Sequence, residues 1–284
     1  MDSPREIIYR PMLESDLPAA ARILNESYRV QGVPAEFSVW GLQQLVLPVF
    51  GIDLPDCIAA EVDGELAGVL LLAVDREARQ SYVFAWNVRP ALWRARIGLG
   101  LERRYAETHR ALGLEVGWAC LGQFRNVGRY RAVRFAGIRT LDGLELCAGP
   151  GHLPAAGVEI RPATLEDLAP HHASFHPHRP HWTQEWPRLR GWAGGPPWQL
   201  LVARSGGGTV GYAVWRCDIL QGHVGALAFT EPAAGDCLLD HLVQAARRPL
   251  QFAFVSAADP LHRLLRERGA TVTATYTEIR RDRF

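Results

Sequence analysis

Short apolar runs and amphipathic segments follow one another along the chain in an order that occurs twice. Residues 57–62 and 69–75 are apolar and joined by Asp63-Gly64-Glu65-Leu66-Ala67-Gly68, which predicts a β-hairpin. Residues 199–204 and 212–217 flank Gly206-Gly207-Gly208-Thr209-Val210-Gly211 in the same way. Each hairpin leads to a further apolar run (81–88; 223–229), a helix, a strand (115–121; 250–256), a helix ending at glycine and a last strand. The helices are predicted over 101–112 and 128–136, then 237–246 and 261–268. In the first of them Leu101, Tyr105, Thr108 and Leu112 fall at i, i+4, i+7 and i+11, one face of a helix. Ahead of the hairpins, Tyr9-Arg10-Pro11 leads to Asp16-Leu17 and Ile160-Arg161-Pro162 leads to Asp167-Leu168 at the same spacing. Each reads as a short strand followed by a helix with an acidic first turn.

This pattern predicts a mixed α/β fold: two tandem domains, each a mixed central sheet flanked by helices. The stretch from Cys147 to Gly157 is rich in glycine and proline and reads as the linker, which places a boundary near Ala155 and domains at 1–150 and 156–284. A length of 284 residues leaves each copy enough chain to bury its own core.

Charge and cysteine content narrow the function. The net charge of +1 provides no global field for nucleic acid or an anionic membrane, so anion recognition has to come from local placement. All 31 basic residues are arginine, which reads as coding bias before chemistry. No apolar run is long enough to span a bilayer, and the first ten residues have no signal-peptide core, so a cytoplasmic location is expected. Cys57, Cys120, Cys147, Cys217 and Cys237 lie far apart with no paired spacing, so reduced thiols are expected rather than disulfides or a zinc ribbon.

Two stretches carry a family resemblance. Asn87-Val88-Arg89-Pro90 running to Gly98-Leu99-Gly100 resembles the V-x-P then R/Q-x-x-G-x-G/A pattern of the GNAT N-acetyltransferase superfamily, and residues 121–138 resemble its next strand-helix crossing, where an asparagine opens a helix closed by a glycine. The resemblance implies an acetyl-CoA-dependent N-acetyltransferase acting on a small amine, with no metal, no nucleic-acid or membrane partner, and a monomer (an intramolecular pseudo-dimer) or homodimer. The alternative is a non-catalytic tandem fold that binds CoA or a partner. Acetyl transfer needs helix N-terminal amides for pyrophosphate, free backbone groups along a strand for the pantetheine arm, and an acid and a base.

By resemblance the cofactor contacts fall on Trp86, Val88, Trp93, Arg94, Arg96, Gly98 and Asn126. The ungapped alignment puts Trp93 at the Arg/Gln position and Arg96 at the first glycine, with Gly98 matching the second; a shift of two residues gives Gly98-x-Gly100 but moves the helix stripe out of phase. Arg94 and Arg96 either supply charge to the phosphates or are the solvated remnants of an eroded site. Asn126 is either a cofactor contact or only a helix N-cap. The family's tyrosine acid falls at Val133, and Tyr130, one turn earlier, is the local substitute, either as acid or as packing. No Asp or Glu occurs from Gln80 to Arg96, so the strand offers no base. In the second copy the matching positions carry no arginine, Ala258 replaces the asparagine and Leu265 the tyrosine, so that copy reads as structural. Its segment with His171, His172, His176, His178, His181 and four tryptophans reads either as a loop contributing to an acceptor site or as a mobile polar loop; Pro177 and Pro180 break the helix that a histidine metal pair needs.

Overall fold

The computed structural model describes residues 6–33, 35–122, 127–147, 157–282 and 284, with 127–129 by their backbone alone. The chain divides into two compact units, Met1–Arg139 with Thr277–Phe284, and Thr140–Tyr276. The linker position near Ala155 lies outside the described residues.

In the first unit β1 (Ile7–Pro11) leads through a single turn into α1 (Leu17–Val30). Arg10 explains the repeated Arg-Pro…Asp spacing: its guanidinium grips both oxygens of Asp16, at 2.7 and 2.9 Å, and also bonds Glu61 on the neighbouring strand. Two short helices, α2 (Val39–Gly41) and α3 (Leu47–Phe50), precede β2 (Ile58–Val62) and β3 (Glu65–Asp75). Asp63 and Gly64 turn that hairpin with φ of 53° and 80°, the left-handed pair that a two-residue β-turn of this hand requires. Then come β4 (Gln80–Val88), α4 (Ile97–Ala111), β5 (Val116–Gly122) and α5 (Val127–Ala132). Helix α4 begins four residues before the predicted Leu101, because its first turn, rich in glycine, carries little apolar period. Strands β1 to β4 pair antiparallel in sequence order, and β5 joins β4 in parallel.

The strand after α5, β6 (Ala136–Leu146), lies in the first unit only as far as Arg139. In the second unit β7 (Glu159–Pro162), α6 (Leu165–Leu168), α7 (Trp186–Trp192), β8 (Gln199–Ser205), β9 (Gly208–Cys217), β10 (Gly222–Phe229), α8 (Pro232–Ala246), β11 (Leu250–Ser256) and α9 (Pro260–Glu267) repeat the plan. Strands β7 to β10 are antiparallel and β11 is parallel to β10, as in the first copy. The remainder of β6 pairs antiparallel with β11. The last strand, β12 (Thr271–Asp282), belongs to the first unit from Thr277 onward, where it lies beside β5. Thus each copy has the predicted mixed sheet with flanking helices, but the first is completed by the end of the chain. Among the described residues no helix is long and apolar enough to cross a membrane.

That end is anchored in the core under α4. Phe284 stacks on His109 with ring centroids 3.5 Å apart and meets Tyr105 edge-on at 5.2 Å. His109 Nε2 and the Tyr105 hydroxyl both reach Ser81 Oγ, at 2.6 and 3.1 Å. Burial, assisted by the charge of Arg281, pulls the His109 pKa from 6.5 to about 3, so the folded protein holds it neutral. The unfolded chain therefore binds a proton that the folded chain refuses, and stability falls as pH drops from 6.5 toward 3. Replacing His109 by Gln is expected to flatten the decline of melting temperature between about pH 7 and 5 while lowering it at neutral pH. An unchanged slope in the variant would refute this linkage.

Candidate acyl-donor site

Strand β4 carries one residue more than β3 opposite it: Leu71 pairs with Ala85 and Leu72 with Val83, leaving Phe84 as a bulge. The parallel ladder with β5 comprises Gln80, Ser81, Tyr82 and Val83 against Val116, Gly117, Trp118 and Ala119, and ends at the residue before the bulge. Both strands run on, β4 to Val88 and β5 to Gly122, without further pairing between them. A bulge adds local twist and bend, which carries the ends apart. The result is a fork whose inner edges present backbone groups to a ligand rather than to each other.

Beyond the fork the predicted residues gather at the end of β4. A Cβ placed on Gly98 would lie 3.9 Å from both the Trp86 indole nitrogen and a Val88 methyl, so these three are neighbours with room between them. Tyr130 faces the Trp86 ring edge-on at 5.8 Å and also packs near Phe135. Trp93 folds back, its indole N–H donating to the Val88 carbonyl at 2.8 Å. Arg94 and Arg96 are exposed on the turn that opens α4. Asn126, cofactor contact or helix cap, lies outside the described residues.

Arg96, aligned with the family's first glycine, adopts φ 59° and ψ 14°, a left-handed backbone that glycine takes freely and arginine at a cost of roughly 1–3 kcal/mol. The loop thus keeps the glycine conformation without the glycine. The Leu99 and Gly100 amides bond the Arg96 carbonyl at 3.1 and 3.2 Å, whereas those of Ile97 and Gly98 have no acceptor within the helix and stand at the positive end of its dipole, a surface suited to phosphate oxygens. Gly100 serves packing instead. A Cβ there would fall 1.8 Å from the hydroxyl of Tyr9, whose O–H donates to the Ile97 carbonyl, so the bare glycine lets β1 pack on the helix.

Sequence reasoning passed over Asn87. It is 3% exposed, and among the described residues neither its amide nitrogen nor its oxygen has a partner, which leaves an unmet hydrogen-bonding group toward the open end of β4. A buried polar group of that kind costs about 1–3 kcal/mol, which makes this strand end a candidate for ligand contact. Its position within the resembling motif was the only signal.

The second unit builds the same fork and fills it. Gly225 is the bulge, and the β10–β11 ladder stops at Val224 and Phe252. A Cβ on Gly225 would meet the Trp192 ring at 2.5 Å, and Gln184 Nε2 donates to its carbonyl at 3.2 Å. The histidine segment is packed inside this unit rather than loose. His176 Nε2 meets the Tyr212 hydroxyl at 2.9 Å, His172 Nε2 meets the Gln184 carbonyl at 3.0 Å, and Trp182 is fully buried. Burial draws the His172 pKa down and that of His176 to about 4, so both are neutral core residues at physiological pH. Among the described residues no three His, Cys, Asp or Glu side chains are grouped to hold a metal ion.

Solved structures share this fold. A GCN5-related N-acetyltransferase from Sphaerobacter thermophilus superposes with a TM-score of 0.72 at 18% identity, over 97% of this chain and 95% of that one. A tandem GNAT protein from the clavulanic acid biosynthesis pathway matches with a TM-score of 0.70 at 14% identity over 98% of both chains. This chain has the tandem GNAT fold. A GCN5-related N-acetyltransferase from Kribbella flavida shares it at 15% identity and a TM-score of 0.65, over 98% of this chain and 71% of that one. No protein-family model and no curated protein matches the sequence. Likeness at this level of identity carries the GNAT fold and leaves the chemistry to the residues themselves.

The two helix glycines should separate packing from ligand access. Gly100→Ala is expected to cost about 1–3 kcal/mol in denaturant unfolding, because the methyl drives into Tyr9, whereas Gly98→Ala should change stability by under about 0.5 kcal/mol. Equal losses would mean that the space seen beside Gly98 is not there.

Proposed function

We propose that the chain is a cytoplasmic acetyl-CoA-dependent N-acetyltransferase for a small amine, with its donor site in the first unit. The observation that carries this reading is the fork: β4 and β5 stop pairing at Val83 and Ala119 yet continue beside the N-terminus of α4. An extended pantetheine arm can bond the freed β4 edge, and the α4 amides can receive its pyrophosphate. Trp86, Val88, Trp93 and Gly98 would then line the arm, Arg94 and Arg96 would add bidentate charge at the phosphates, and Asn126 completes the set by resemblance. When bound, acetyl-CoA supplies an activated acetyl group. Tyr130 protonates the departing thiolate, a role that its packing beside Trp86 supports. The filled fork of the second unit supports a purely structural role for that copy. The acceptor is a small amine and not nucleic acid or membrane, and the protein works as a monomer or homodimer.

One observation favours a non-catalytic binding module instead. Trp93 occupies the Val88 carbonyl, the last on the strand that the arm would follow. Calorimetry distinguishes the readings. Acetyl-CoA should bind the full chain, and replacing both Arg94 and Arg96 by Ala should weaken it by about tenfold or more while leaving S-acetylpantetheine, which lacks the phosphates, unaffected. Equal loss for both ligands would return the arginines to folding.

Tyr130→Phe should lower kcat by on the order of a hundredfold or more with acetyl-CoA affinity intact. Release of free CoA, followed with a thiol reagent across a panel of amines, measures this. Normal turnover in the variant would remove tyrosine from the chemistry. Binding without turnover of any amine by the native protein would favour the module.

A further inference from the structure

An amine that attacks a thioester must lose a proton, and residues 80–96 contain no carboxylate to take it. One is delivered from the other end of the chain. Within the first unit the Thr277–Asp282 part of β12 lies beside β5. Its side chains alternate between the faces of the sheet. Ile279 enters the core beneath α4, and Arg281 bonds Glu102 of α4 at 2.9 Å, so Glu278 and Arg280 face the opposite side. Arg280 lies 5.3 Å over the ring of Trp118 on β5, which fixes the β5 residues that share this face. Glu278, two residues before Arg280, and Cys120, two residues after Trp118, therefore share this face, and the charge of Glu278 acts on both the Cys120 thiol and the Tyr82 hydroxyl.

That position is the root of the fork. Cys120 is the first β5 residue beyond the last ladder pair, and Tyr82 is the penultimate β4 residue within the ladder. Glu278 is 1% exposed and held by Arg139, whose Nε donates to it at 2.8 Å. A paired carboxylate buried at this point does little for stability alone, since an apolar pair of the same volume usually does as well. Among the described residues the groups facing it include Arg139 from β6, Cys120 from β5 and Tyr82 from β4, with Arg280 next along its own strand.

We propose that Glu278, oriented by Arg139, is the general base for an amine bound at the root of the fork. This rests on the donor-site reading above. The amine nitrogen forms its bond to the acetyl carbonyl carbon, and the carbon–sulfur bond breaks with its electron pair leaving on the CoA sulfur. The Glu278 carboxylate takes one proton from the bound ammonium, freeing the nitrogen lone pair, and releases it to solvent as the site opens; the second nitrogen proton leaves to water once the bond has formed, while Tyr130 or water protonates the thiolate and Tyr130 regains its proton from solvent. Acid and base thus approach the fork from opposite faces of the sheet, Tyr130 from beside Trp86 and Glu278 from beside Cys120.

The test uses the full chain, acetyl-CoA, and benzylamine and putrescine as probe amines, with Glu278→Gln and Glu278→Asp. Glu278→Gln keeps an oxygen for Arg139. It should bind acetyl-CoA within about twofold of the native protein but lose on the order of a hundredfold to ten-thousandfold in kcat. Its remaining rate should climb with pH between about 7 and 10 as the free amine replaces the ammonium. Glu278→Asp, which keeps the carboxylate, should recover part of the rate; if the Gln variant does not fold, the Asp variant against the native protein decides, with a kcat loss of about tenfold or more expected. Turnover by Glu278→Gln within about threefold of native, or an unchanged pH profile, overturns the proposal. So does a native protein that binds acetyl-CoA but acetylates neither amine. Failure of the native protein to bind acetyl-CoA is a different result: it sinks the donor site, and the base with it.

Discussion

Everything distinctive in this fold follows from a parallel ladder that ends too early. Two adjacent strands of equal reach should pair along their whole length, because an unpaired backbone amide or carbonyl in a sheet interior costs as much as a lost hydrogen bond. Here β4 and β5 stop at Val83 and Ala119, at the point where Phe84 bulges against β3. The Asn87 side-chain amide, without a partner among the described residues, and the left-handed Arg96 lie toward the open end. Strain and unsatisfied polarity collected in one place make this strand end the candidate site.

The second unit serves as an internal control. It has the same strand order, the same bulge position and the same early end to the ladder at Val224 and Phe252. Glycine at its bulge leaves room for the Trp192 ring, and Gln184 satisfies the exposed carbonyl. The histidines that attract attention in the sequence line this filling, kept neutral by burial and bonded to Tyr212 and the Gln184 carbonyl. One backbone plan therefore serves two ends: in the second unit Trp192 and Gln184 pack against it as core, and in the first it forms the candidate donor site.

Charge placement follows the same division. The arginines at the α4 turn stand exposed, whereas Arg281 near the chain end and Arg139 on β6 are committed, to Glu102 and Glu278 respectively. The buried pairs fix where the last strand runs, and with it which carboxylate faces Cys120. A chain with a net charge of +1 thus carries a local cationic turn and a local buried anion on one small sheet.

The sequence by itself determined the duplicated order of strands and helices, because apolar periodicity, the Asp63-Gly64 turn and the Arg10 and Arg161 spacings are local signals that act within a few residues. It also located Trp86, Val88, Gly98 and Tyr130, which the fold gathers at the end of β4. It could not separate the roles of Gly98 and Gly100, since that depends on Tyr9, far away in sequence and 1.8 Å from a Cβ at Gly100. Nor could it tell an open fork from a filled one, because Gly225 and Phe84 each fit a strand and only their neighbours across the sheet differ. Which strand completes the first unit was likewise a tertiary decision. Residues 136–146 and 271–282 are both β-capable, and no local pattern says that Thr277 onward returns to lie beside β5. Pairing between strands so far apart in sequence is settled by packing and by buried ion pairs such as Arg139 with Glu278, and those exist only once the chain has folded.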